Sequence, residues 1–282
     1  MKAVYVHGGV SGLEKELPAI DDALIHAREA RTALDAIELA VIALEDNPLV
    51  NAGFGSVLTI DGTVEMDASI ADGTGRDYGA VANVQVAHPI TLARRVMERT
   101  PHHVLAGAGA MALGADMDLL ETTTLEQRRR WAQALEAGTL EPERFGAPEH
   151  VDTVGAVALD DDGRLAAGSS TGGVFGKMPG RVGDTPVFGA GVYASPAVAV
   201  VGTGVGELFL ETLACLRVAL LVEDGAHPQE ACEEVVRRVA EWRTVSAGLL
   251  ALDADGRVGA AFRGGGLAIE GLAGPLAPVR LP

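Results

Sequence analysis

Apolar positions along the chain recur on two different periods. Short runs of five to eight mostly apolar residues predict strands at 2–7, 64–70, 80–87, 154–160, 164–169, 197–203, 248–253 and 257–262. Two stretches, "ALDDDGRLAAG" and "ALDADGRVGAA", are near copies of each other. Each joins two apolar runs through an Asp-rich turn ending in Gly, which is a hairpin pattern. Longer stretches with apolar residues every third or fourth position predict helices at 21–46, 89–99, 101–114, 206–223 and 228–242. Pro89 and Pro101 open the second and third of these. Leu208, Leu210, Leu213, Leu216, Leu220 and Leu221 fall at helical spacings and predict a buried face. Strands in runs flanked by groups of helices fit an α+β arrangement of stacked, helix-covered sheets better than a βαβ repeat.

One segment breaks the pattern. Residues 125–149, "LEQRRRWAQALEAGTLEPERFGAPE", are dense in charge, carry Pro142 and Pro148, and show little apolar periodicity beyond a short helical stretch. That composition predicts a linker between two core-forming halves, leading directly to Thr153.

Bulk properties narrow the function classes. A chain of 282 residues with 48% hydrophobic content can bury a substantial core. The net charge of −17 argues against general nucleic-acid binding, which wants a basic face. The acids are dispersed, so they do not mark a disordered tail. Cys215 and Cys232 both fall in helix-like stretches and offer neither a disulfide framework nor a CxxC metal site. The opening "MKAVYVHGG" enters a β-like run without an apolar leader, and no apolar stretch approaches the roughly 20 residues of a membrane span. The expectation is a soluble cytoplasmic protein with no nucleic-acid or membrane partner.

The 36 glycines cluster at the ends of apolar runs: "HGG" at 7–9, "NAGFG" at 51–55, "STGG" at 170–173, "GAG" at 189–191 and "GTGVG" at 202–206. Glycine at a strand end lets the backbone turn tightly or approach a ligand. Several such clusters suggest a site assembled from loops distant in sequence.

These motifs carry a resemblance. "HGG", "ALEDNPLVNAGFGSVL" at 43–58, "VEMDASI" at 64–70, "PITLARRVMERTPH" at 89–102, "DTVGAVALD", "STGG", "GRVGD" at 180–184, "GAGVYA" at 189–194 and "GTGVGE" at 202–207 run nearly end to end. In that order the chain resembles the plant-type (type III) L-asparaginases, also called isoaspartyl aminopeptidases, among the N-terminal-nucleophile hydrolases. The resemblance implies one domain, 1–282, folded as a four-layer αββα sandwich of the Ntn-hydrolase type. It further implies self-cleavage of the Asp152–Thr153 bond. The products would be an α-fragment, 1–152, with its linker at 125–152, and a β-fragment, 153–282.

The chemistry of each matched residue agrees with that implication. A threonine hydroxyl is a poor nucleophile until a base takes its proton. The α-amine freed at Thr153, with a reference pKa of about 7.7–8.0, is such a base on the same residue. By resemblance, Thr171 orients Thr153, Thr203 and Gly204 form the oxyanion hole, and Asn51 lines the same site. Arg181 and Asp184 would clamp the α-carboxylate and α-ammonium of a free aspartyl head group. Gly204 and Gly206 would complete that substrate site. The resemblance also implies a structural sodium ion held by backbone carbonyls of Leu44, Glu45, Asn47, Val50, Ala52 and Phe54. No cofactor is expected for catalysis. The implied substrates are L-asparagine or β-aspartyl dipeptides, and the implied assembly is a homodimer of cleaved αβ protomers.

Asp152 departs from the glycine that precedes the nucleophile in many relatives, and an Asp-Thr junction resembles the sister glycosylasparaginases, which act on asparagine linked to N-acetylglucosamine. Ser246-Ala247-Gly248 and "AAFRGGGLAIEGLAG" match only loosely. Two rivals stand beside the enzyme: a non-catalytic binding protein on the same fold, and a nucleotide binder suggested by G-x-G-x-x-A at 107–112. The latter lacks a clear preceding strand and a suitably placed acidic residue.

Overall fold

The computed structural model describes residues 1–10, 14–75, 77–140, 152–242 and 246–282. Strand β1 (Ala3–His7) is followed by helices α1 (Leu17–Ala27) and α2 (Ala33–Glu45), then by β2 (Met66–Asp72) and β3 (Asp77–Val84). Next come α3 (Pro89–Arg99), β4 (Val104–Ala106), α4 (Gly107–Leu113) and α5 (Leu125–Ala137). The second half runs β5 (Val154–Leu159), β6 (Leu165–Thr171), β7 (Val192–Ala194) and β8 (Val198–Gly204). Helices α6 (Gly206–Thr212), α7 (Ala214–Glu223) and α8 (Pro228–Trp242) precede β9 (Ala247–Asp253) and β10 (Val258–Arg263). Three short strands close the chain: β11 (Ile269–Gly271), β12 (Gly274–Pro275) and β13 (Val279–Arg280).

The strands form two sheets, ordered β12-β11-β1-β5-β6-β2-β3-β4 and β13-β10-β9-β8-β7. Helices α1, α2 and α3 pack on the first sheet, α7 and α8 on the second, and β5 and β6 meet β8 where the sheets face each other. Central strands β5 and β6 are buried along their whole length. Val154, Ala156 and Ala158 join the core beneath α1 and α2, while Val157 and Leu159 join Val201 and Leu250 between the sheets. Covering on both faces explains why these strands read as unbroken runs of small apolar residues.

The two near-copy hairpins fold alike. Asp160 Oδ1 accepts from the N–H of Asp162 (3.0 Å) and of Arg164 (2.9 Å), and Asp253 Oδ1 accepts from Asp255 (3.1 Å) and Arg257 (2.8 Å). Each aspartate thus organises its own turn, and Gly163 (φ 80°) and Gly256 (φ 81°) close them in the left-handed region.

Four expectations need correction. The helix expected at 21–46 is two helices, because Thr32 caps α2 by accepting from the Asp35 N–H. The helix expected at 206–223 breaks at Leu213, whose φ is +50°. That break rotates the buried face: Leu213 and Leu220 are exposed, and Phe209, Cys215, Val218 and Ala219 point inward instead. The 101–114 stretch holds β4, parallel to β3, before the short helix α4. A strand does therefore precede the G-x-G-x-x-A, although Gly107 and Gly109 face open space and α4 is one short turn-pair long. Finally, 125–137 of the expected linker is helix α5, with Thr124 accepting from the Gln127 N–H and Gly138 (φ +65°) ending it. Residues 141–151 of that linker lie outside the described residues.

Candidate active site

Strand register builds the site at one end of the first sheet. Val154 pairs with Ser170, which sets Thr153 opposite Thr171, and Thr171 in turn pairs with Asp67 on β2. Thr153 is buried, at 5% exposure. Thr171 Oγ1 lies 3.0 Å from the Asp152 carbonyl oxygen, 2.9 Å from the Gly173 N–H nitrogen and 3.3 Å from Thr153 Oγ1. A carbonyl only accepts and an N–H only donates, so the single Thr171 hydrogen points at Asp152 O. Thr171 must then accept the Thr153 proton.

Asn51 adds a second donor to the same carbonyl. Its Nδ2 donates to Asp152 O (2.9 Å) and to Gly173 O (2.8 Å), while its Oδ1 accepts from the Val57 N–H (3.0 Å). The Asn51 carbonyl also accepts from the Gly172 N–H (2.9 Å), locking its loop to the end of β6. Gly53, at φ +48°, lets that loop fold back; a side chain there would overlap the Glu45 carbonyl. The carbonyl of the Asp152–Thr153 bond is therefore held by two hydrogen-bond donors with the Thr153 hydroxyl beside it.

The facing sheet brings Thr203 and Gly204 to the end of β8. Val201 lies over Gly155, two residues in from Thr203 and Thr153 respectively. Gly204 has φ +143°, and a Cβ on it would come within 2.5 Å of the Ser246 carbonyl oxygen. Among the described residues Thr203 Oγ1 is buried without a hydrogen-bond partner, as are both ring nitrogens of His7, Ser56 Oγ, Thr185 Oγ1 and Asp184 Oδ2. Orphaned buried polar atoms are rare in folded proteins, so Thr203 Oγ1 and Asp184 Oδ2 mark polar space left for other groups.

Arg181, Asp184 and Gly206 also come together. A Cβ on Gly206 would lie 2.7 Å from Asp184 Oδ1 and 2.9 Å from Arg181 Nη2, so only glycine lets the two side chains converge. A Cβ on Gly173 would lie 3.3 Å from Arg181 Nη1, which ties the clamp to the threonine end. Asp184 is buried, and loss of solvent pushes its carboxyl up to about 7 despite Arg181 nearby; Glu207 and Asp67 add to the rise.

Residues not singled out from the sequence complete the surroundings. Glu207 pairs with Arg181 through three contacts of 2.9–3.0 Å. Asp67 is buried and accepts from the N–H of Asn83 (3.0 Å) and Gly183 (3.2 Å), fixing the clamp loop to β2. Lys177 is 3% exposed and donates to the Glu65 carbonyl (2.7 Å); burial lowers its ammonium below the usual range, against the pull of Asp67. Glu45 takes hydrogen bonds from Ser170 Oγ (2.6 Å) and the Ile90 N–H (3.0 Å), and burial raises its carboxyl well above normal. Burial also depresses His7 to about 3, leaving it neutral. Cys215 and Cys232 are free, buried thiols pushed up by desolvation.

In the 44–54 loop the carbonyls of Leu44 and Ala52 accept from the N–H of Asn47 (3.1 Å) and Gly55 (3.0 Å), and Phe54 O accepts from Thr123 Oγ1 (3.0 Å). The carbonyls of Glu45 and Val50 press against Gly53 and Gly55, with that of Asn47 alongside. Among the described residues no group of three or more His, Cys, Asp or Glu side chains converges as a metal site. Nor is any described helix long and apolar enough to cross a membrane.

Known proteins resemble this chain over most of its length. The asparaginase family model matches residues 9–271. The plant-type L-asparaginase of Pyrococcus furiosus is 42% identical, covering 92% of each chain. The isoaspartyl peptidase of Salmonella typhimurium is 44% identical over 84% of this chain and 79% of its own. That of Escherichia coli is 40% identical over 94% and 90%. The mixed α/β fold with its two sheets is thus that of a hydrolase. The chain belongs to the asparaginase family.

Proposed function

We propose that the chain is a self-processing threonine amidohydrolase that cleaves L-asparagine and N-terminal β-aspartyl dipeptides, built as a four-layer αββα sandwich of the Ntn-hydrolase type. The observation that carries this reading is the Asp152 carbonyl, held by Asn51 Nδ2 at 2.9 Å and Thr171 Oγ1 at 3.0 Å beside the Thr153 hydroxyl. The names of the relatives supply the substrate class.

In the intact chain Thr153 Oγ1 attacks the Asp152 carbonyl carbon. A C–O bond forms, negative charge builds on the oxygen between Asn51 and Thr171, and the C–N bond breaks. The hydroxyl proton ends on the departing nitrogen, leaving an ester between Asp152 and Thr153. The amine of Thr153 is free from that point; water then cleaves the ester, giving a carboxyl on Asp152 and returning the hydroxyl to Thr153. Before cleavage the nitrogen is an amide and cannot accept a proton; afterwards it is a base with a reference pKa of about 7.7–8.0. Activation and cleavage are one event.

The mature site repeats the chemistry on substrate. The Thr153 amine takes the hydroxyl proton as Oγ1 attacks the substrate's side-chain carbonyl. Thr203 and the Gly204 N–H receive the developing oxyanion, and each such donor typically contributes about 10²–10³ in rate. The proton passes to the leaving ammonia or amine, and water releases aspartate from the β-aspartyl ester. Arg181 takes the α-carboxylate. Asp184, whose Oδ2 has no internal partner, takes the α-ammonium together with the Gly206 carbonyl.

A sodium ion on the backbone carbonyls of Leu44, Glu45, Asn47, Val50, Ala52 and Phe54, three of which also accept internal hydrogen bonds, would hold the loop that carries Asn51. Cleaved αβ protomers assemble as a homodimer in the cytoplasm on this reading. The test is hydrolysis of L-asparagine, a β-aspartyl dipeptide and GlcNAc-asparagine side by side. Turnover of either of the first two supports the reading, and turnover of the glycosylated substrate alone overturns it.

A further inference from the structure

An arginine offers carboxylates two edges: a side-on edge made by Nε and Nη2, and an end-on edge made by Nη1 and Nη2. At Arg181 the side-on edge is taken. Glu207 Oε1 accepts from Nε (3.0 Å) and from Nη2 (2.9 Å), and Oε2 accepts from Nη2 (2.9 Å). Nη1 takes no part in that pair. It lies against Gly173 and Gly183, where added Cβ atoms would come within 3.3 and 2.8 Å of it. Gly173 is two residues from Thr171, so Nη1, the part of the end-on edge that Glu207 leaves free, lies beside the strand end that carries Thr171.

We infer that Glu207 is the positioning residue that aims the end-on edge of Arg181 at the substrate's α-carboxylate, and so sets the preference for a free aspartyl head group. The inference rests on the reading of the site as an aspartyl-substrate hydrolase. Glu207 stands in the first turn of α6, directly after the Thr203–Gly204 stretch. A single helix start thereby couples the oxyanion donors to the clamp. A guanidinium on a long side chain would otherwise sample many rotamers, and the side-on pair removes most of that freedom. The pair also shapes the local charge. Arg181 is matched by Glu207, while Asp184 keeps an unpartnered oxygen beside it. A substrate bearing an α-ammonium next to its α-carboxylate is matched group by group, the carboxylate by the Nη1 side of Arg181 and the ammonium by Asp184.

The experiment uses the self-processed protein and two probes: an isoaspartyl dipeptide with its α-carboxylate free, and the same dipeptide with that group as a carboxamide. The wild type discriminates between them by kcat/KM. Glu207→Ala should shrink that ratio roughly 10–100-fold, chiefly by raising KM for the free acid. Glu207→Gln, which keeps one side-on acceptor, should restore part of the ratio. Should the alanine variant fail to fold, the glutamine variant carries the test with an expected loss of about threefold. A ratio unchanged in the variants, with both probes slowed equally, overturns the inference alone and leaves a merely structural role. A ratio that rises shows Glu207 competing with substrate, and also overturns it. A wild type that hydrolyses neither probe sinks the reading of the site as well.

Discussion

Replacing Thr171 by valine isolates the hydroxyl that the whole threonine arrangement turns on. The side-chain shape is kept, so the buried volume between β6 and the facing sheet hardly changes. Three contacts disappear: the donation to Asp152 O (3.0 Å), the acceptance from Thr153 Oγ1 (3.3 Å) and the acceptance from the Gly173 N–H (2.9 Å). The Gly173 N–H then loses its side-chain acceptor, and such a loss at a buried donor costs about 1–3 kcal/mol. The other two bonds add about 1 kcal/mol or less each in net terms. A destabilisation of about 3 kcal/mol leaves a domain of typical stability, about 5–15 kcal/mol, folded. The effect on self-cleavage should be larger in rate than in stability, because a donor to a developing oxyanion is worth about 10²–10³. Cell-free synthesis with aliquots quenched in denaturant resolves this directly, since intact chain and fragments separate by size. A thermal melt of the same variant confirms folding. Processing within about threefold of the wild type would refute the claim that Thr171 polarises the scissile carbonyl, because a donor worth 10²–10³ cannot vanish unnoticed.

Two further outcomes follow from the buried carboxyls. Asp184 rises to about 7 and must be ionised to hold an ammonium, so kcat/KM should fall as pH drops below about 7. The Thr153 amine must also be neutral, so the acid limb of log kcat/KM should have a slope of about two, reduced to about one in Asp184→Asn; an unchanged slope would remove Asp184 from the clamp. Glu45 is raised above its unfolded value, so the native state favours its protonated form. Its stabilising share is present below the unfolded carboxylate value and is lost as pH rises through the folded one. Glu45→Gln mimics the protonated form, and its melting temperature should therefore lose less than the wild type's between about pH 5 and 8. A wild type that gains on the variant over that range would contradict this.

Much of the architecture could be read from residue order because the signals were local. The Asp-rich turns at 160–163 and 253–256 carry their own hydrogen-bonding aspartate and left-handed glycine, and both hairpins fold as the spacing predicts. Helices α3 and α8 match their expected bounds, 89–99 and 228–242, since Pro89 and Pro228 mark their first turns. The break at Leu213 leaves no trace in the sequence, because a leucine rarely adopts positive φ and no Gly or Pro announces it. Helix α5 carries only a short signal because its half-buried stripe, Gln127, Arg130, Trp131 and Ala134, mixes polar and apolar residues. Gln127 donates to the Gly55 carbonyl, Trp131 to that of Thr59, and Arg130 stacks on Phe175. Thr124-Leu125-Glu126-Gln127 was nonetheless a visible capping-box sequence.

The site divides the same way. Asn51, Thr153, Thr171, Arg181, Asp184 and Gly206 sit in recognisable Gly-rich motifs, and the fold brings Asn51 to the threonine pair and Arg181 to Asp184 and Gly206. Glu207 was present at the end of "GTGVGE", yet its partner lies 26 positions away and only the fold shows which arginine it holds. Asp67 and Lys177 were hidden for a similar reason. Each looks like a surface charge in sequence, yet both are buried: Asp67 accepts from the Gly183 N–H of the clamp loop, and Lys177 donates to the Glu65 carbonyl.

The central claim is that one backbone cleavage both releases and activates the nucleophile. Intact-mass measurement of freshly purified, denatured protein tests it most directly. The 282-residue wild type should resolve into chains of 152 and 130 residues, the second beginning at Thr153, and Thr153→Ala should remain one inactive chain. Full hydrolytic activity in a sample that is uncut throughout would contradict the account.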